Sequence, residues 1–225
     1  TSGPGTNQGG TNPNNDDWAQ NYSGIGPAAN ANGPGFTFDA GFGADYMLIL
    51  RNGSSKFDID YSIIGGGAGG FEAATDVFGG STQGSNVNAL PGAGIGVAFN
   101  NSNGAGVLGG TGPANQAAAA AVLTGIELAI PLSALGNPNP QDIKISAHVN
   151  GSNHDYLSNQ SLGGFTPPQG NPGGDNFGGF NNDVSLINLQ GYAGDQFFTV
   201  VPEPTSLALA GLAMLGFVGL GRRRK

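Results

Sequence analysis

The chain contains no cysteine in 225 residues, which excludes disulfides, thiolate metal sites and a cysteine nucleophile. Its fold must therefore rest on buried apolar surface. About 200 residues ahead of the C-terminal tail suffice for one all-β domain. Positive charge is almost as scarce. Of seven Lys and Arg residues, four occupy the last four positions, and Arg51, Lys56 and Lys144 are set against fourteen acidic residues before Pro202, a formal charge of −11 for that body. Such a surface repels phosphates, so nucleic acid is not an expected partner. Tryptophan occurs once, at Trp18, and histidine twice, at His148 and His154. Nothing repeats at helical period across the body. Glycine is abundant, at 43 residues, but has no three-residue period, which excludes collagen and leaves a loop-rich fold. The first residue is Thr1 rather than Met, with no basic and apolar leader, so a secretory signal is expected upstream.

Residues 1–17 lack an apolar anchor in their first fifteen positions and read as a flexible lead-in, with the folded domain expected over 18–201. Strand signals recur within it. Phe57, Ile59, Tyr61 and Ile63 alternate with Asp58, Asp60 and Ser62, which puts apolar groups on one face and polar groups on a wet face. The apolar run Tyr46 to Leu50 precedes it across Arg51 to Lys56, and the Asn52-Gly53 pair signals a hairpin with a loop longer than two residues. The alternation returns at Ile126 to Leu132, at Ile143 to Val149 and, more briefly, at Ile95 to Phe99. Phe36 to Phe38, Val184 to Leu189 and Phe197 to Val201 complete about eight strands, and Ala117 to Leu123 suits a short helix. One-sided alternation points to antiparallel sheets that cover each other's apolar faces. The expected class is all-β, an antiparallel β-sandwich or jelly roll with a C-terminal hydrophobic helix.

The body offers several constellations that invite chemistry, each with a plainer reading. Gly65, Gly67 and Gly70, and again Gly104, Gly106 and Gly109, satisfy the dinucleotide-binding spacing, but neither set is followed by a parallel strand-helix unit. His148 and His154, the latter beside Asp155, lack a third firm zinc ligand and read as solvated surface residues, so no metal site is assigned. Asp58 and Asp60 stand about 6.6 Å apart along one strand face, in the range of inverting glycosidases, yet alternating Asp also simply keeps a sheet soluble. No nucleophile elbow is present, and no catalytic residues are assigned. Oxygen-rich runs at Asn12 to Asp17 and at Asp175 to Asp183 could hold structural calcium, without matching an EF-hand; no other cofactor is expected. Tyr22, Tyr156 and Tyr192 fall in expected loops and are the candidate ligand-binding aromatics.

The most specific signal lies at the end of the chain, over 202–225. Val201, Pro202, Glu203 and Pro204 lead into the uncharged helix expected from Thr205 to Leu220, which is followed by Arg222, Arg223, Arg224 and Lys225. Sixteen helical residues rise about 24 Å, short of a hydrocarbon core of about 30 Å, which suits transient retention better than a permanent anchor. The basic end is held on the cytoplasmic side by anionic lipid. In its three parts and their order this tail resembles the PEP-CTERM tail of exported Gram-negative bacterial proteins. The resemblance implies an exosortase-type processing enzyme as partner, transient residence of 205–221 in the inner membrane and a membrane-tethered intermediate. It also implies a cell-surface or extracellular-matrix destination, with exopolysaccharide as an associated partner.

A second resemblance covers Thr124 to Gly164, whose IPLSALG turn and YLSNQ loop are similar to the late strands of carbohydrate-binding or DOMON-like sandwich domains. Leu132 would close one strand, Ser133 to Gly136 would turn the chain, and Tyr156 to Gln160 would lie in a loop. Two functions are thereby expected: a non-enzymatic exported surface or matrix protein, or a carbohydrate-binding module of a larger glycan-active protein.

Overall fold

The computed structural model describes residues 36–53, 55–64, 70–102, 115–151, 156–165, 170–173 and 187–201. Most regular structure among them is β, in small antiparallel sheets. Strands β1 (Tyr46–Gly53) and β2 (Lys56–Ile63) form the expected hairpin, in register from Tyr46↔Ile63 to Gly53↔Lys56. The ladder runs three residues further in β1 and one further in β2 than the apolar pattern suggested, so the connection shrinks to positions 54–55, and Ser55 takes a positive φ of 69°. Polar residues extend the ladder because the backbone, not the side chains, makes its hydrogen bonds.

Strand β3 (Phe71–Ala74) pairs with the far edge of β2, and β4 (Gly84–Leu90), β5 (Ile95–Phe99) and β6 (Ile126–Ala129) form a second three-stranded sheet in that order. Neither β3 nor β4 announces itself by alternation; β4 is made a strand by the partner it finds in β5. Its register shifts between Asn86 and Leu90, and there the backbone leans over Gly96, where a Cβ would lie 2.8 Å from the Val87 carbonyl oxygen. Glycine at position 96 makes that bulge possible.

One apolar cluster joins the two sheets: Phe57, Ile59 and Tyr61 from β2 with Ala89, Leu90, Ile95 and Val97 from β4 and β5. Each fully buried side chain the size of Phe57 or Ile59 contributes about 1.5–3 kcal/mol. A carboxylate pins the sheets as well. Glu72 of β3 accepts the backbone N–H of Gly92 at 2.8 Å and of Ala93 at 2.7 Å, in the turn between β4 and β5.

The polar face of β2 departs from expectation. Asp58, Asp60 and Ser62 are buried, Asp60 being only 3% exposed. Arg51 lies opposite Asp58 in the register and reaches diagonally to Asp60, where its guanidinium makes a two-pronged contact with the carboxylate, Nη2 to Oδ1 at 3.0 Å. Asp58 accepts the Asp76 backbone N–H at 2.9 Å and pairs with Lys56 at 3.2 Å. The alternating Asp residues thus form an internal charged layer, neither a wet face nor an exposed carboxylate pair for hydrolysis.

The helical segment α1 is confined to Gln116–Ala120. The IPLSALG segment does turn the chain, but β6 stops at Ala129, and Leu132, expected to close the strand, instead opens a 3-10 turn at Leu132–Leu135 that ends on Gly136, at φ 73°, with the Asn137 N–H returning to the Leu132 carbonyl at 2.8 Å. The expected strand Ile143 to Val149 breaks into β7 (Lys144–Ile145) and β8 (His148–Asn150). The expected YLSNQ loop is instead strand β9 (Leu157–Ser161), antiparallel to β8, because Leu157 is drawn fully into the core. Strand β10 (Phe198–Thr199) pairs with β7. Phe36 to Phe38 contributes one parallel bridge, Thr37 to Asn188, rather than a strand.

These last segments surround a second cluster of Phe36, Phe38, Phe42, Ala44, Leu157, Phe165, Ile187 and Leu189. Among the described residues no helix is long and apolar enough to cross a membrane, and the expected C-terminal helix lies outside them.

Candidate functional site

The described chain ends where the second cluster is closed, and a connected set of polar groups holds that closure. Gln196 sits at its centre, 1% exposed. Its backbone N–H donates to Asp39 Oδ2 at 2.6 Å, its backbone carbonyl accepts from Ser146 Oγ at 2.7 Å, and its side-chain Nε2 points at the carbonyls of Gly164, Ala193 and Gly194. These bonds link residues up to 157 positions apart. Asp39 has its pKa raised by burial, opposed by the Gln196 hydrogen bond and reinforced by repulsion from Asp195.

Ser146 carries the network on to His148, with Oγ 2.8 Å from Nε2, while Nδ1 lies 2.9 Å from Ser161 Oγ. The single proton of Ser146 is committed to the Gln196 carbonyl, so Nε2 bears the imidazole hydrogen and donates to Ser146, and Ser161 donates to Nδ1. That arrangement satisfies a neutral ring at both nitrogens. Burial pushes the His148 pKa down to about 4, in keeping with the ring of Phe36 5.4 Å away. His148 is thus a part-buried hydrogen-bonding residue rather than a freely solvated one. The alternation in β7 and β8 is inverted: His148 turns inward, while Val149 is 51% exposed. The aromatic neighbour and the two hydroxyls give the imidazole a better place inside than the valine would find.

Gly163 makes this packing possible. It adopts φ 90°, and a Cβ there would stand 2.2 Å from the Asp195 carbonyl oxygen. Lys144 adds a cation at the rim, donating to the Gly41 carbonyl and lying 5.1 Å from the centre of the Phe197 ring. The expected strand at Phe197 to Val201 is present in shortened form as β10, and its final tie is the Val200 N–H to the Ile143 carbonyl at 2.9 Å. Val201, the next residue, is 84% exposed.

Of the residues singled out in the sequence, Val201 is the last of the described residues, exposed and next to the Val200 tie. Pro202, Glu203, Pro204 and the basic end Arg222 to Lys225 lie outside the described residues, as do Tyr22, His154, Asp155 and both oxygen-rich runs. Tyr156 and Tyr192 are both half-buried, and Tyr192 packs its ring 5.0 Å from that of Phe165, at the margin of the second cluster. Asp39, Ser146, Ser161, Gly163 and Gln196 were invisible in the sequence, since each is defined by a distant partner; the paired glycines 163 and 164, both at positive φ, are the one local hint. No described group of three or more His, Cys, Asp or Glu residues is arranged to hold a metal.

Comparison with curated proteins and with solved structures returned no match. A family model does match at the end of the chain, beginning on the very residue that makes the last hydrogen bond to the body: residues 200–225 carry the PEP-CTERM protein-sorting motif, which marks exported Gram-negative proteins for membrane-associated sorting by exosortase.

Proposed function

We propose that this chain is a non-enzymatic exported protein whose body, read as a β-sandwich or jelly roll, is delivered to the cell surface or extracellular matrix and released from its tail by cleavage near Pro204. The observation that carries the reading is the position of the motif directly after the last described residues. Val200 is hydrogen-bonded to the body, Val201 is exposed, and the proline-glutamate-proline core follows at once. A cut beyond Val201 therefore leaves every described contact of the body intact.

The spacing also constrains the intermediate. Residues 201–204 separate Val200 from the apolar segment at Thr205, and fully extended they reach at most about 18 Å. While 205–221 resides in the inner membrane with its basic end on the cytoplasmic side, the acidic body is held close to the opposite membrane face. Cleavage lets the body leave. Exosortase is the processing partner, and matrix exopolysaccharide is the associated material at the destination.

Intact-mass measurement of the cell-surface form tests the reading. A C-terminus near Pro204 is expected; a mature form that retains Arg222 to Lys225 overturns it.

A further inference from the structure

The two-stranded ribbon of β7 and β10 has two unlike faces. Its register sets Phe198 opposite Ile145 and Thr199 opposite Lys144, and the bond from the Val200 N–H to the Ile143 carbonyl carries the same ladder one step further. Residues two apart share a face of a strand, so Lys144 and Thr199 lie on one side, where the Lys144 ammonium donates to the Gly41 carbonyl and stands over the Phe197 ring. That side closes on the second cluster, which Phe197 joins. Ile143, Ile145, Phe198 and Val200 make up the other side, and no polar or charged side chain interrupts them. This side meets solvent: Phe198 is 42% exposed and Ile145 38%, and Val201, next along the chain, is 84% exposed. A sheet with one wet face would carry polar residues here. An apolar face that runs unbroken across two strands, unlike single exposed residues, marks a contact with something apolar.

The chain that follows indicates what covers it. Only residues 201–204 separate Val200 from the apolar segment at Thr205, a reach of at most about 18 Å, and the headgroup layer adds about 5–7 Å on each side of the hydrocarbon. The geometry points to a lipid contact: Ile145, Phe198 and Val201, backed by Ile143 and Val200, rest on the boundary between headgroups and acyl chains while the tail is inserted. This contact rests on the reading of 205–221 as a segment held in the bilayer. An aromatic ring beside aliphatic side chains is the composition with which interfacial elements enter that boundary. The face has no charge to desolvate, whereas a surface bearing carboxylates could enter only at a cost.

Few side chains take part, so the contact is weak by itself and depends on the tether, which holds the face near the membrane at an effective concentration of about millimolar. While the tether lasts, the contact keeps the start of the sorting motif at the membrane surface. The cut that removes the tail ends the contact as well.

The full chain with Trp18→Phe and Phe198→Trp, reconstituted into vesicles of phosphatidylethanolamine and phosphatidylglycerol, places a single indole on the face and tests the contact. Lipid brominated high on the acyl chain is expected to quench that indole about twofold, because interfacial groups sit about 5–10 Å into the boundary. An indole introduced instead by Val87→Trp, at a position 89% exposed on β4, should not be quenched. Ile145→Ser combined with Phe198→Ser, both at part-exposed positions, should leave the melt in detergent unchanged. In vesicles the same pair should let added protease cut next to Val201 about fivefold faster, the loss of roughly one buried methylene. A chain that stays in the vesicles with an unquenched indole on the ribbon overturns the contact and leaves the reading of the tail standing. A chain that washes off the vesicles in high salt overturns that reading and the contact with it. Emission that shifts to the blue with rising protein concentration, without quenching by brominated lipid, would assign the face to a second copy of the chain and overturn the lipid contact.

Discussion

The two apolar clusters are held together by different means. The one between the two three-stranded sheets grows from local pairing: β1 and β2 are joined by a tight turn, β4 and β5 by another, and their apolar residues meet in register. The one beneath the exit segment is assembled from pieces far apart in sequence, Phe36 to Ala44, Leu157 to Phe165 and Ile187 to Leu189, and is locked by polar bonds through Gln196. The first is a core that happens to carry an internal ion pair. The second depends on polar groups for its closure, and it is the one that borders the sorting motif. Burial of apolar surface is non-directional, whereas hydrogen bonds across long sequence separations fix one path for the chain.

Gly163→Ala is the most severe way to break this contrast. The added methyl group collides with the Asp195 carbonyl in a backbone conformation that already disfavours a side chain, so a loss of about 4 kcal/mol or more is expected. Hydrogen exchange should show the loss concentrated at residues 187–201, with the β1–β6 amides still protected; uniform loss of protection would mean that the two clusters are one cooperative unit.

Arg51→Leu probes the other side. It leaves the buried Asp60 carboxylate without its cation, at a cost of about 3 kcal/mol, read from a lowered urea midpoint. Here the exit segment should keep its proteolytic resistance in native conditions. If instead cleavage appears first near Val201, the ion pair supports the second cluster as well.

Acid provides the gentlest test. His148 is ordinarily protonated near pH 6.5 when unfolded but only near pH 4 in the fold, so the unfolded state binds the extra proton between those values. Its contribution to stability is fully present above about pH 6.5 and falls as the pH drops towards 4, by about 3 kcal/mol. Asp39, whose raised pKa acts in the opposite sense, touches the same network through Gln196, so the wild type must be compared with His148→Gln. The difference between their pH–stability curves should open within that window; parallel curves would exclude a neutral, network-bound imidazole.

What could be read beforehand follows the same division. The hairpin of β1 and β2 was legible because Tyr46 to Leu50 and Phe57 to Ile63 carry their pattern within a few residues of a turn signal. The turn at Ser133 to Gly136 was legible for the same local reason, although it begins one residue earlier, at Leu132. Strand β9 was not, since only contact with the core draws Leu157 into a strand, and the inward histidine was not, since Ser146, Ser161 and Phe36 assemble around it from three places. Asp58 and Asp60 misled because alternation reports which residues differ in polarity, and here Arg51 and the Asp76 backbone made the polar side an interior one.

The order of residues from Val201 to Lys225 is enough to determine the sorting address, because it depends on a short motif, the length of an apolar run and a cluster of charge at its end. Composition likewise suffices for the acidic, cysteine-free character of the body. Only the tertiary structure decided how the Val200 N–H is tied to the Ile143 carbonyl and which residues hold the second cluster shut. Gln196, Asp39 and Gly163 acquire their roles from partners between 32 and 157 positions away, and such pairings are created by the folded chain rather than by any local pattern within it.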